Sequence, residues 1–242
     1  MEEFESEEEK RWDSLYHLSS SLKDLHEDVA FYEHALIKAR SRDPEKPFIP
    51  TFFLYIYFTF NTIYTIDWEN SPQDERLVEH RKSEERERIN KMISFCFSDN
   101  QFVEAFFPHF IEIMTMKISK EMIISSMDNI IAEGVEIDDK EKEKAKKACE
   151  YILSKEGFSF QKGRHVKEFS TFIYKVRCNI VHGTKLTVHA DPGQKERILI
   201  YSYFLIAVQH MLFMFLGYKA NGFFEGESES FIETLRRSHD PN

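Results

Sequence analysis

The sequence predicts an all-α protein, an up-and-down helical bundle. Three observations carry that expectation. The 242 residues hold 23 Phe but only 8 Gly and 7 Pro, so turns are few and elements are long. Apolar residues recur at three- and four-residue steps over most of the chain. The breaks between these runs coincide with capping residues and prolines. A hydrophobic share of 42% with 31% charge is that of a globular protein. With no internal repeat and no long linker, one domain is expected over 1–242, its core over about 48–220.

The elements follow in order. Phe4, Trp12, Leu15, Leu22, Leu25, Val29, Tyr32 and Leu36 mark one long helix over Glu2–Arg40, within an N-terminal segment 1–45. Pro44, Pro47 and Pro50 make a connector. An apolar helix is expected over about Thr51–Trp68. Ser71-Pro72 pairs a cap with proline at the first helical position and opens a charged helix through roughly Phe97. Asp99 or Asn100 caps the next helix, which Pro108 is expected to kink or restart. Residues 111–133 read as helical, and Gly134–Asp139 as a break. A charged helix runs from Asp139 to Lys155. Phe158–Arg164 reads as a loop or a short extended piece. The next helix spans about His165–His182 and ends at Gly183, placed to adopt the left-handed cap. Lys185–His189 reads as a brief strand or loop. Asp191-Pro-Gly-Gln194 has capping-box spacing and starts an apolar helix through Leu216. Ser228–Arg237 is amphipathic, within a C-terminal helical extension over 222–242.

Charge and cysteines narrow the classes. A net charge of −10 argues against a general nucleic-acid coat. Between Gln161 and Lys185, however, Lys162, Arg164, Lys167, Lys175, Arg177 and Lys185 face a single acid, Glu168. That window carries +5 and leaves −15 for the rest, a local patch suited to phosphate. Cys96, Cys149 and Cys178 are an odd set without paired spacing, which fits a reducing cytoplasm better than a disulfide framework or a zinc site. The acidic Met1–Lys10 has no apolar stretch, so no signal peptide is expected. Phe48–Ile66 and Ile198–Tyr218 approach the roughly 20 residues that a bilayer needs. Pro50 and Asn61 in the first, and Gln209 and His210 in the second, favour core helices over membrane spans.

The chemistry concentrates in Tyr174-Lys-Val-Arg-Cys-Asn-Ile-Val-His-Gly-Thr-Lys185. Arginine grips phosphate with a planar fork, and histidine exchanges a proton near neutral pH. Val166, Phe169, Phe172, Ile173, Val176 and Ile180 form the apolar stripe that buries this helix. Arg177 and His182 are five residues apart, about 140° around an ideal helix, and do not converge on one phosphate unless the helix ends early. Asn179 and His182, three apart, share a face. Two copies of the helix meeting across a symmetry axis would bring an arginine and a histidine together, so a homodimeric site is expected. The Arg-x(4–6)-His spacing itself arises by chance about once or twice in this composition, and Arg11 and His17 satisfy it as well.

The longer string Val176-Arg-Cys-Asn-Ile-Val-His-Gly183, with Lys185 two beyond, resembles the signature of the HEPN superfamily of compact helical domains. The resemblance is strongest over Phe172–Lys185 and extends over Phe48–Leu216, where Phe60-Asn-Thr-Ile-Tyr64 resembles an Asn- and Tyr-bearing helix of several HEPN families. The first 45 and last 25 residues lie outside it. It implies a helical bundle dimerising around the motif helices, and metal-independent endoribonuclease activity within toxin–antitoxin or antiviral systems, with no cofactor. The family's arginine falls on Arg177 and its histidine on His182. The polar residue that often follows the arginine is displaced by one, with Cys178 in its place and Asn179 next. In that reading a histidine takes the ribose 2′-OH proton. Arg177 neutralises charge on the phosphoryl oxygens, Asn179 orients His182 or a phosphate, and Lys185, Lys175 and Tyr174 contact substrate. Asn61 and Tyr64 support the motif helix from beneath.

Other constellations are weaker. His17, His26 and His34 lie near Asp24 and Glu27, but no Glu-x-x-His pair occurs and no metal is expected. Gly157 and Gly163 lack the Lys-Ser/Thr of a phosphate loop. Tyr55, Tyr57, Phe58 and Phe60 read as core rather than as a base-stacking platform. The expected partners are RNA, with tRNA among the candidate substrates, and a separate antitoxin or regulatory chain; the alternatives to an endoribonuclease are a silent HEPN-like module binding a nucleotide or protein and a membrane-associated helical protein.

Overall fold

The computed structural model describes residues 51–64, 85–128, 130, 137–154, 159–181 and 192–221. They form an all-α bundle of seven helices, and no strand occurs among the described residues. The helices are α1 (Thr51–Tyr64), α2 (Glu85–Cys96), α3 (Asn100–Thr115), α4 (Lys120–Asp128), α5 (Asp139–Ser154), α6 (Phe160–Val181) and α7 (Pro192–Asn221). The expected helices over 2–40 and 228–237, the Ser71-Pro72 start, the Lys185–His189 piece and the Asp191 cap lie outside the described residues.

α7 organises the bundle. α1, α3 and α4 pack on it, while α5 and α2 pack on α6. From Ile198 to Leu212 nearly every side chain of α7 is buried, because a helix that is apolar all round must be covered all round. Its Glu196–Phe215 stretch is long and apolar enough to cross a bilayer, but 89% of the 18-residue window that qualifies it is buried within the bundle. Gln209 and His210, two of the polar residues in that stretch, are also buried, and Gln209 donates from Nε2 to the Ile56 carbonyl of α1 at 3.5 Å. The α6–α7 seam is aromatic: Phe169 meets Phe204 edge-on at 4.8 Å between ring centres and Tyr201 at 6.0 Å.

Local chemistry sets the element ends. Asp99 caps α3 by accepting from the Phe102 N–H at 3.1 Å, and Asp138 caps α5 through the Glu141 N–H at 2.8 Å. Four sequence expectations are corrected. α3 runs without a break from Asn100 to Thr115 with Pro108 inside it, so the helix does not restart there. That proline is exposed, so water can satisfy the carbonyl it frees. The helix expected over 111–133 is broken after Thr115, and Ser119 restarts it by accepting from the Met122 N–H at 3.3 Å. Within the expected Phe158–Arg164 loop, residues from Phe160 onward are helical, since α6 begins there. Packing explains this: Lys162 is fully buried with its ammonium 4.6 Å from the Phe107 ring centre, and Gly163 sits close against Phe97. Finally, α7 continues past Leu216 to Asn221.

Candidate functional site

α6 presents two faces. Val166, Phe169, Phe172, Ile173 and Val176 of the expected stripe are buried in the core, and the Ile180 side chain lies outside the described residues. Tyr174, Lys175, Arg177 and Cys178 are half-buried at its margin, while Asn179 is 1% exposed. The helix is unbroken to Val181. His182 and Lys185 lie outside the described residues, so the structure does not place them relative to Arg177.

Arg177 reaches from α6 over α1. Its guanidinium carbon is 5.3 Å from the centre of the Tyr57 ring, a cation–π arrangement. One terminal nitrogen contacts the neighbouring Cys178 sulfur at 4.0 Å. The buried Nε has no hydrogen-bond partner among the described residues. Burial works against the charge of this group, but Cys178 and the Tyr57 oxygen outweigh it and hold its pKa above the ordinary value. The result is a partly desolvated cation, the condition under which a charge acts most strongly on an incoming anion.

Beneath it lies a tyrosine–carboxylate cluster. Tyr57 and Tyr64, seven residues apart on α1, are both buried, and Phe60 stacks edge-on with each at 5.8 and 5.4 Å. The Tyr64 hydroxyl donates to Asn61 Oδ1 and lies 3.3 Å from Glu85 Oε1 at the start of α2. Burial, then Glu85, pushes the Tyr64 phenol up to about 12. Burial also pushes Tyr57 far above the phenol range. Its hydroxyl feels the Tyr64 oxygen without reaching hydrogen-bond geometry. The nearby Glu85 carboxylate, then burial and Cys178, push the Tyr174 phenol upward too. Glu85 thus stands within reach of Tyr64 and acts on the Tyr174 phenol as well. All three phenols stay protonated at neutral pH, so the cluster offers donors and one carboxylate around a fixed cation.

The structure thus brings together Arg177, Tyr174, Asn61 and Tyr64 of the expected residues. Asn61 and Tyr64 were expected beneath the motif helix, and they lie on the helix that Arg177 covers. Lys175 points elsewhere, to Glu141 of α5. At 1% exposure, Asn179 does not offer its amide to solvent. Glu85 and Tyr57 were missed as site residues. Glu85 is 21 residues from Tyr64 in the chain, and no sequence spacing links them. Tyr57 could have been found, since an i, i+7 pair shares a helix face. Of the four aromatics of this helix expected in the core, Tyr57 and Phe60 are buried there, Phe58 is instead 54% exposed, and the Tyr55 side chain lies outside the described residues.

No group of three or more His, Cys, Asp or Glu side chains suited to a metal occurs among the described residues. The three histidines of the first segment lie outside them. A cavity of about 340 Å³ opens on the other side of α6, between α2 and α5, lined mainly by charged residues including Arg86, Lys144, Lys167 and Glu168.

No protein-family model matches the chain, and neither does any curated protein or solved structure compared with it.

Proposed function

We propose that this chain is a HEPN-like, metal-independent endoribonuclease, acting as a homodimer in a defence or toxin–antitoxin setting in the cytoplasm. The observation that carries the reading is Arg177: a half-buried guanidinium, stacked on Tyr57 and with Nε unpartnered among the described residues, near the end of the helix that leads into His182. A phosphoryl group is the anion that such a fork fits. In the reaction, one histidine accepts the 2′-OH proton of ribose. The 2′ oxygen then bonds to the adjacent phosphorus as the bond to the 5′ oxygen breaks, and a second histidine protonates that leaving oxygen. The products are a 2′,3′-cyclic phosphate and a 5′-OH. Arg177 meets the charge that builds on the phosphoryl oxygens. Proton transfer of this kind contributes about 10²–10⁴-fold.

Homodimerisation finds support in α6 itself. The helix is regular from Arg177 to Val181, and on a regular helix residues five apart point about 140° from one another. A histidine from a second copy meets the geometric need.

One observation favours a second reading, a silent module that binds a nucleotide or protein: Asn179 is buried, as a residue kept for packing would be. Incubation with RNA in EDTA separates the two. Cleavage leaving 2′,3′-cyclic ends, lost in both Arg177→Ala and His182→Ala, supports the enzyme. Intact RNA across a panel that includes tRNAs, with nucleotide or protein binding retained, rejects it for the module.

A further inference from the structure

The cavity between α2, α5 and α6 is unlike the rest of this acidic chain. Its walls carry five cations, Arg86, Lys144, Arg164, Lys167 and Lys175, against two carboxylates, Glu141 and Glu168. The carboxylates are fully used. Glu168 alone serves Lys144 at 3.2 Å, Arg164 at 3.1 Å and His165 at 3.1 Å, and Glu141 is taken by Lys175. Arg86 and Lys167 have no ion-pair partner among the described residues. A simple salt-bridge zipper between α5 and α6 would balance its charges, and this one is left with a surplus of three positive charges facing an open space.

The shape narrows the ligand. Arg164 and Lys175 bound the groove along α6 and are eleven residues apart, which spans about 17 Å of helix. That is a track for several anionic groups rather than a seat for one.

We infer that this groove binds the phosphate backbone of single-stranded RNA. The inference rests on the endoribonuclease reading for its choice of polymer. Binding here is electrostatic: phosphates displace counterions, Asn90 adds a neutral hydrogen-bonding group, and no base is read.

The test uses the full chain and a fluorescent 2′-O-methyl oligoribonucleotide, which binds but offers no 2′-OH to cleave. Arg86→Ala/Lys167→Ala removes two groove charges on residues that are not buried. Lys140→Ala/Lys147→Ala removes two from exposed positions of α5 outside the groove. The expected result is affinity about tenfold weaker in the groove variant, with the log–log salt slope reduced by about 1.4, two contacts at roughly 0.7 each. The control variant keeps the wild-type slope. Equal weakening of both variants, an unchanged slope in the groove variant, or no binding by the wild type overturns the inference. Cleavage of ordinary RNA is scored separately. Groove-dependent binding without cleavage sinks the nuclease reading and leaves the groove standing, whereas cleavage at unchanged KM in the groove variant sinks the groove alone.

Discussion

Replacing Phe169 with alanine tests the seam that holds the motif helix in place. The ring is 0% exposed. It meets Phe204 edge-on at 4.8 Å, with an interplanar angle of 89°, touches Tyr201 at 6.0 Å, and lies parallel to Phe172 at 6.2 Å. Truncating a buried Phe to Ala costs about 3–5 kcal/mol, the transfer of the ring plus the cavity it leaves. The Phe204 pairing alone accounts for about 1 kcal/mol of that. The neighbours are large, and they belong to two long helices that cannot collapse independently, so the upper half of the range is expected. Urea unfolding followed by far-ultraviolet circular dichroism measures it: the midpoint falls while the slope is unchanged. Met122→Ala, at a side chain 51% exposed, serves as the comparison and should stay within about 0.5 kcal/mol. A loss below about 1 kcal/mol at Phe169, or an equal loss at Met122, would refute the assignment of this aromatic cluster between α6 and α7 to the core.

Other outcomes follow from the same contacts. Asp138→Ala should cost about 1 kcal/mol, because the Glu141 N–H loses its cap; thermal unfolding checks it, and Asp138→Asn should restore most of the loss. Glu168 is disfavoured as an anion by burial, but hydrogen bonds from Arg164 and Lys144 outweigh this and hold its carboxyl below the usual range. Its depressed pKa contributes stability above the unfolded carboxylate value, lost as pH falls through the folded one, so Glu168→Gln should flatten the acid limb of a stability-against-pH curve. Tyr64 behaves oppositely. With its pKa raised from 10.0 to about 12, its contribution is complete below pH 10 and disappears as pH rises through about 12. Urea midpoints at pH 8 and 11 should therefore converge in Tyr64→Phe relative to wild type.

Legibility in the sequence tracked the reach of each interaction. The helices announced themselves because period, caps and scarcity of turn-formers are local properties, and Asp99 did cap α3 as one of two expected residues. The misjudged pieces were decided by distant partners. Phe160–Arg164 looked like a loop until Phe107, from α3, supplied a ring for the buried Lys162 ammonium. The break after Thr115 depended on Ser119 acting as a cap, one serine among several candidates. At the site, Arg177 and the Asn61–Tyr64 pair were visible as residue types at fixed spacings. Glu85 was not, because a carboxylate in a highly charged stretch looks like any other until α2 packs beside α1 and α6. The groove was half visible: the excess of positive charge over 161–185 could be counted, but Arg86 and Lys144 lie far outside that window and join it only through packing.

The covering of α7 bears on how the chain acquires its fold. α1 lies on α7 although the two are far apart in sequence; the Gln209–Ile56 hydrogen bond spans 153 residues. Helical proteins rich in neighbouring contacts fold quickly, and distant pairings slow them. During synthesis, α1 and α3 emerge well before the helix that covers their apolar faces. Their aromatic side chains, Phe53, Phe60, Phe106 and Phe110 among them, must wait for α7 or be shielded by something else. The last step of assembly is then the arrival of one long apolar helix into a prepared cradle, and the interval before it arrives is when the chain is most prone to aggregate.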